Sequence, residues 1–416
     1  MPARAIPGRL LVLCAVLFVV SPWWIAAFGA FAGSRNADHD ALDFAVFYAA
    51  ADLVGRGDGG LLYETDALME VEHASIALPR NTTLAYLNPP FFAGLLAPLS
   101  LLPFGVAFQV WTLFNFALLA VACVLLWRLA KPLPLLARLP LVGGLAILPQ
   151  AASTLQLGQF SMILLVSWLS SYALLRDGRD RAAGIALAPL LIKPELLLPV
   201  AALLLWKRRF GVFATLAPIA AAAVIASLAI VGIDGIVTYP AHLHEVSSSF
   251  TPATNSTQKM FGWTGILGAT MGPEHAALQT LIAIPLAALT LAGVAWLWRG
   301  RFAPNGDMFP VQWLALTLGT LLCDPHLYHQ DTLLLYPAIA IVVASAPERR
   351  RWAAPMLAAT WLIGATGQSP NVNANVCAFG IMMAVSLAVV VWALRLSDRA
   401  ASKREFTALD EARAAA

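Results

Sequence analysis

The chain has 416 residues, 60% of them hydrophobic and only 12% charged, with a formal net charge of +3. A soluble domain carries roughly a quarter charged residues, so this composition excludes an ordinary soluble enzyme, and basic residues in short scattered clusters exclude a nucleic-acid-binding stripe. Apolar runs near the ~20 residues that cross a bilayer recur from Leu10 to Leu396, with the charges gathered between them.

Arg4 and Arg9 precede an apolar run from Leu10 to Ala32, longer than the roughly 7–15 residues of a cleaved signal core, so it reads as an uncleaved first span entering from the cytoplasm. The acidic segment Gly33–Leu87 then falls outside. Within it, Leu42, Val46, Ala49, Ala50 and Leu53 have helical spacing, as do Leu68, Val71 and Ile76 in Ala67–Ala77. Two short amphipathic helices on the membrane surface are expected, with the turn supplied by Gly55, Gly57, Gly59 and Gly60.

From Asn88 to Trp206 the apolar runs are short and broken by prolines, and two threadings fit. One makes five crossings. In the other, Asn88–Leu102 only dips into the bilayer and Lys193-Pro194 tips a helical hairpin, an arrangement tolerated where the freed backbone faces protein or a cavity. Further on, Lys207-Arg208-Arg209, Arg299 with Arg301, Glu348 to Arg351, and the tail with Arg395, Arg399, Lys403 and Arg404 belong inside by the positive-inside rule. Gly232–Glu274, Cys323–Gln330 and Gly367–Asn375 are then outside loops. The sum is an all-α polytopic membrane protein of about 12 transmembrane helices. It is expected to form one transmembrane domain over 1–400, with large extracytoplasmic loops at 33–87 and 232–274 and a frayed cytoplasmic tail at 401–416.

Ionisable residues at membrane depth are costly, so each one wants a reason. Asp40 and Asp43 lie where the first loop helix should begin, which suits a helix cap or first-turn acid. Gln159 sits in Leu157-Gly158-Gln159-Phe160. Lys193 and Glu195 flank Pro194 in an apolar stretch, either as a structural pair or with the lysine facing a cavity to hold a phosphate. Asp324-Pro325-His326-Leu327-Tyr328-His329-Gln330-Asp331 is a dense polar cluster. On a helix His326 and His329 would share a face, which suits hydrogen bonding to a polar ligand better than a metal. The loop Tyr239–Trp263, with His242, His244, Glu245 and Lys259, reads as a lid or ligand wall, and its Asn255-Ser256-Thr257, like Asn81-Thr82-Thr83, matches the glycosylation pattern by chance. Cys14, Cys123, Cys323 and Cys377 are isolated and read as packing residues.

Several of these segments follow one another in a telling order. Asp43-Phe44-Ala45-Val46-Phe47-Tyr48-Ala49-Ala50-Ala51 is succeeded by Leu62-Tyr63-Glu64, Tyr86-Leu87-Asn88-Pro89-Pro90, Ala97-Pro98 to Pro103 and Trp111. Together with Leu157-Gly158-Gln159, Ile192-Lys193-Pro194 and the His326–His329 cluster, this resembles the polytopic membrane glycosyltransferases of family 87. The resemblance runs from about Leu10 to about Pro337. It implies a GT-C-like architecture and an extracytoplasmic active site at the inner (plasma) membrane. The donor it implies is a polyprenyl-phosphate sugar, mannose-like, and the acceptor a lipid or glycan hydroxyl, with membrane lipids around the protein. It also implies an essential acid in the first loop, matched here by Asp43. Asp324-Pro325-His326-Leu327-Tyr328-His329 departs from the family's Ser-Pro, Ser-Trp and paired histidines, which bears on which sugar or acceptor is used.

A phosphate leaving group needs no strong acid to expel it, so one carboxylate suffices as general base and a single displacement inverts the anomeric carbon. Candidates for donor phosphate and sugar are Lys193, Lys259, Arg80, His326 and His329, with Tyr86, Asn88 and Gln159 lining the site. No cofactor or metal motif is present, so transfer is expected to be metal-independent. A lipid-linked sugar flippase would call for repeated halves, which the chain lacks; an oligosaccharide polymerase or ligase shares the donor chemistry, and a non-catalytic scaffold has little use for so concentrated a set of His, Asp and Tyr.

Overall fold

The computed structural model describes residues 21–32, 42–75, 85–249, 260–345 and 349–366, together with 380, 383–384 and 386–387. Among the described residues there is no strand. Residues 21–32 form α1. The helices α2 (Leu42–Gly55), α3 (Thr65–Ser75), α4 (Pro90–Leu96), α5 (Phe104–Leu129), α6 (Leu135–Ala146), α7 (Pro149–Leu157) and α8 (Ser161–Arg176) follow. Then come α9 (Asp180–Leu187), α10 (Pro194–Trp206), α11 (Phe210–Ser249), α12 (Trp263–Met271), α13 (Ala276–Leu297), α14 (Phe309–Cys323), α15 (Leu335–Ser345) and α16 (Arg350–Thr366).

Four helical stretches among the described residues are long and apolar enough to cross a membrane: Phe104–Leu129, Leu135–Leu157, Phe210–His242 and Ala276–Leu297. Their outward faces carry large apolar side chains that water would not tolerate in such number. Leu113, Phe114 and Val124 on α5, Ile225, Ile233 and Val237 on α11, and Leu281, Ile284 and Leu289 on α13 are all exposed, as expected of surfaces solvated by lipid. The shorter helices α14 and α15 form the interior. Every residue of α14 from Phe309 to Leu322 except Gln312 is buried, and so is most of α15. Aromatic rings lock α8 to α14 there, with Trp168 5.0 Å from Trp313 and Tyr172 stacked at 5.2 Å on Phe309.

The proline-broken region takes the hairpin form. A 3-10 turn over Ala188–Ile192 extends α9, the chain breaks at Lys193 (φ −133°, ψ 77°), and Pro194 opens α10 at a position where its missing N–H costs nothing. Asp180 at the start of α9 pairs with Arg209 just beyond α10 at 2.5 Å, so the two limbs return to one level and Lys193 is the tip. Each limb spans about 20 Å at helical rise, short of the ~30 Å hydrocarbon core. The stretch Pro90–Leu101 is likewise short for a crossing.

Among the described residues, the basic clusters around Lys207, Arg299 and Arg349 gather at one end of the bundle. Lys207 donates to the Gly300 carbonyl, Arg209 lies over Phe302, Phe302 packs edge-on against Phe309, and Arg349 donates to the Asp307 carbonyl. From that end α8 and α14 run to the opposite one, where Ser161, Asp324 and the Lys193 tip meet. Helices form at both places expected in the first loop, but α2 is not a half-exposed surface helix. Phe44, Ala45, Val46, Phe47, Ala49, Ala50, Ala51 and Leu53 are all buried, because the run of alanines lets neighbouring elements close on more than one face.

Candidate active site

Asp43 lies in the first turn of α2. Its Oδ2 accepts a 2.7 Å hydrogen bond from Nε2 of Gln159. The approach depends on Gly158, which ends α7 in the left-handed region at φ 75°. A Cβ there would lie 2.5 Å from Cβ of Phe44, the residue after Asp43, so only glycine lets the α7–α8 junction come this close to α2. Trp111 braces the same junction by donating to the Gly158 carbonyl at 2.7 Å.

Two residues after Gln159, the Ser161 hydroxyl donates to Oδ1 of Asp331 at 2.9 Å. The other oxygen of Asp331 pairs with Lys193 Nζ at 2.5 Å, and Asp324 pairs with the same ammonium at 2.8 Å. Lys193 also donates to the His326 carbonyl at 3.1 Å, while the His326 N–H donates to Asp324 at 2.8 Å. Lys193, Asp324 and Asp331 are all buried. This is a closed ion triad, with each charged group held by more than one partner, as burial demands.

The Asp43 carboxyl, which is only partly buried, is raised from 3.8 to about 6. Loss of water around it is the main cause; the Gln159 bond opposes the rise and the charge of Asp331 adds to it. A carboxylate with that pKa is ionised at neutral pH yet basic enough to take a proton from a hydroxyl as the hydroxyl attacks.

Asn88 enters through its neighbour in space, donating from Nδ2 to the Ile192 carbonyl at 3.3 Å, directly before Lys193. Its segment is gripped by three phenols. Tyr239 donates to the Leu87 carbonyl at 2.6 Å, Tyr63 to that of Asn88 at 3.3 Å and Tyr86 to that of Pro89 at 3.2 Å. Tyr86 is therefore fully buried and occupied with the backbone, and His242 packs on Tyr63 at 5.0 Å.

The two histidines do not share a helical face. Pro325 and the Asp324–His326 turn hold the chain out of helix until a 3-10 turn opens at His329. His329 stacks on Trp23 at 5.3 Å and its Nε2 lies 2.8 Å from the Gly364 carbonyl. A carbonyl only accepts, so that nitrogen carries the proton. His329 thus joins α1 to α16, whereas His326 contributes its backbone to the triad. Among the described residues no group of three or more His, Cys, Asp or Glu is placed to hold a metal ion. Lys259 and Arg80 lie outside the described residues, as do Asp40 and the side chains of His244 and Glu245.

The sequence model of glycosyltransferase family 87 matches residues 86–325, more than half of the chain. The chain belongs to glycosyltransferase family 87. No curated protein matches it, and no solved structure does. The protein is accordingly a membrane glycosyltransferase. Within this family 87 enzyme, Tyr86, Asn88, Gln159, Lys193 and Asp324 fall inside the matched residues, and Asp43, Tyr328 and Asp331 outside them.

Sequence reasoning gave no role to Asp324, Asp331 or Ser161, and it set Lys193 beside Glu195, whereas the ammonium pairs with the two aspartates. One signal was available. A lysine in an apolar stretch requires carboxylates brought in from another segment, and Asp324 and Asp331 bracket a dense polar cluster between two apolar runs.

Proposed function

We propose that this family 87 transferase moves a single sugar, mannose-like, from a polyprenyl-phosphate donor to a hydroxyl of a lipid or glycan acceptor, at the outer face of the inner membrane and with inversion. The observation that carries the reading is the partly buried Asp43, oriented by Gln159 and raised to about 6, beside a second carboxylate already neutralised by a lysine. Of these two carboxylates Asp43 is then the one available as a base, which fits a single displacement rather than the paired-carboxylate chemistry of glycoside hydrolysis.

In that displacement the acceptor oxygen forms a bond to the anomeric carbon from the face opposite the phosphate. The bond between that carbon and the phosphate oxygen breaks, polyprenyl phosphate leaves with the electron pair, and Asp43 takes the acceptor's proton. Gln159 keeps the reacting oxygen of Asp43 aimed. Lys193 holds Asp331 and Asp324 in place. Because two carboxylates already compensate its charge, it is not by itself the anchor of the donor phosphate; the histidine cluster, Lys259 and Arg80 remain the further candidates named by the sequence.

The test is transfer of radiolabelled sugar from polyprenyl-phosphate mannose, glucose or arabinose to membrane lipid extract, by the purified protein and by Asp43→Asn. Product from the wild type alone establishes donor class and base together. Undiminished turnover by Asp43→Asn removes Asp43 as base, and transfer of a preassembled oligosaccharide instead of one sugar makes the protein a glycan ligase.

A further inference from the structure

Gln159 and Ser161 stand two residues apart and hold Asp43 and Asp331 respectively, so the base and the ion triad flank a common junction. Tyr328 is set beside the same junction by its backbone. Its carbonyl accepts from the Asp331 N–H at 3.1 Å, and the preceding Leu327 carbonyl accepts from Phe261 N–H at 2.8 Å, so the residue is pinned on both sides.

The phenol of Tyr328 is partly buried, and its hydroxyl has no hydrogen-bond partner among the described residues. That contrasts with Tyr48, Tyr63, Tyr86, Tyr239 and Tyr336, each of which donates to a backbone carbonyl. Of the charged groups around it, Asp43 acts on the phenol most strongly, followed by Lys193, Asp331 and Asp324. The phenol therefore lies within electrostatic reach of Asp43 and of the triad, and it keeps its proton there, held above its ordinary range by burial and then by the charge of Asp43.

A polyol suits these surroundings, because among the described residues the carboxylates of Asp43, Asp324 and Asp331 flank the junction and offer acceptors to sugar hydroxyls. A phenol adds a donor and a second acceptor.

We propose that Tyr328 is a substrate-binding residue whose hydroxyl hydrogen-bonds a hydroxyl of the transferred sugar, between Asp43 and the Lys193–Asp324–Asp331 triad. It would make Tyr328 a determinant of which sugar is accepted. The proposal rests on the sugar-phosphate reading above.

The experiment compares full-length wild type and Tyr328→Phe in detergent, measuring radiolabel transfer from the three polyprenyl-phosphate sugars and, separately, equilibrium binding of each labelled donor. Because the hydroxyl has no partner among the described residues, Tyr328→Phe should melt at the wild-type temperature. Its kcat/KM and donor affinity should fall roughly tenfold for the preferred sugar. Competition by sugar-free polyprenyl phosphate should be unchanged, which separates a contact to sugar from one to phosphate. Wild-type kcat/KM and affinity in Tyr328→Phe for every donor overturn the proposal, and weakened competition by polyprenyl phosphate overturns the sugar assignment. Donor binding without transfer by the wild type refutes the transfer reading alone, since the Tyr328→Phe binding difference still decides the proposal. No binding of any donor refutes both.

Discussion

Gln159 reaches across 116 residues of chain to donate its 2.7 Å hydrogen bond to Asp43, and that bond opposes the burial that raises the acid. As the proposed base, Asp43 works only when deprotonated, so kcat/KM should climb as pH rises through about 6 and level off above it. Gln159→Leu removes the influence that holds the pKa down. The rising limb should move to higher pH, with lower activity at pH 6.5 than at pH 8 relative to wild type. A limb in the wild-type position would show that Gln159 does not tune the base.

Asp43→Asn should abolish transfer without weakening the fold. The folded pKa of Asp43 is raised from 3.8 to about 6, so between those values the native state holds more protons than the unfolded chain. Its contribution to stability therefore falls as pH rises through that window and stays low above it. Asparagine carries no charge to desolvate, and at pH 7.5 the variant should melt no lower than wild type in a thermal-shift assay. A markedly lower melting temperature would attribute the lost activity to the fold instead.

Lys193→Met leaves Asp324 and Asp331 buried without their cation, a loss of the kind that costs about 3–5 kcal/mol. Melting temperature and yield should drop sharply. The triple change Lys193→Met, Asp324→Asn and Asp331→Asn removes the charges together and should recover most of the stability but not the activity. If the single variant melts like wild type, the triad is not an essential counter-ion set.

The left-handed φ of 75° at Gly158 and the 2.5 Å approach of a Cβ to Phe44 make alanine doubly unfavourable there. Gly158→Ala should destabilise by about 1–3 kcal/mol. Because the same junction aims Gln159, kcat should fall more than KM rises. Wild-type kinetics in this variant would mean that the α7–α8 junction does not position the site.

What could be read from the sequence followed from rules that operate along the chain. The apolar runs, the positive clusters, the helical spacing of Leu42 to Leu53 and the break at Lys193-Pro194 are all local signals. Asp43, Gln159 and Lys193 were each legible as polar groups in costly surroundings. Their pairings were not, because Asp43–Gln159, Ser161–Asp331 and Lys193–Asp331 join residues more than a hundred positions apart, and no periodicity reports such contacts. His326 and His329 mislead for the opposite reason: a spacing that suits a helix sits where Pro325 and an Asp-centred turn prevent one. The burial of α2 on several faces was hidden by its alanines, which read as neutral in a pattern of apolar and polar positions.

The order in which the triad is made has a consequence for biosynthesis. The chain emerges from its N-terminus, so Lys193 reaches the bilayer at the tip of a short helical hairpin while both of its carboxylates, Asp324 and Asp331, are still unmade. Until they arrive the ammonium has to stay hydrated, and a hairpin too short to cross the hydrocarbon leaves its tip free to reach interfacial water. Entry of the last helices then closes the cage around a charge already waiting for it. The triad is thus complete only once synthesis has passed Asp331, and a chain truncated before that point carries Lys193 without its counter-ions.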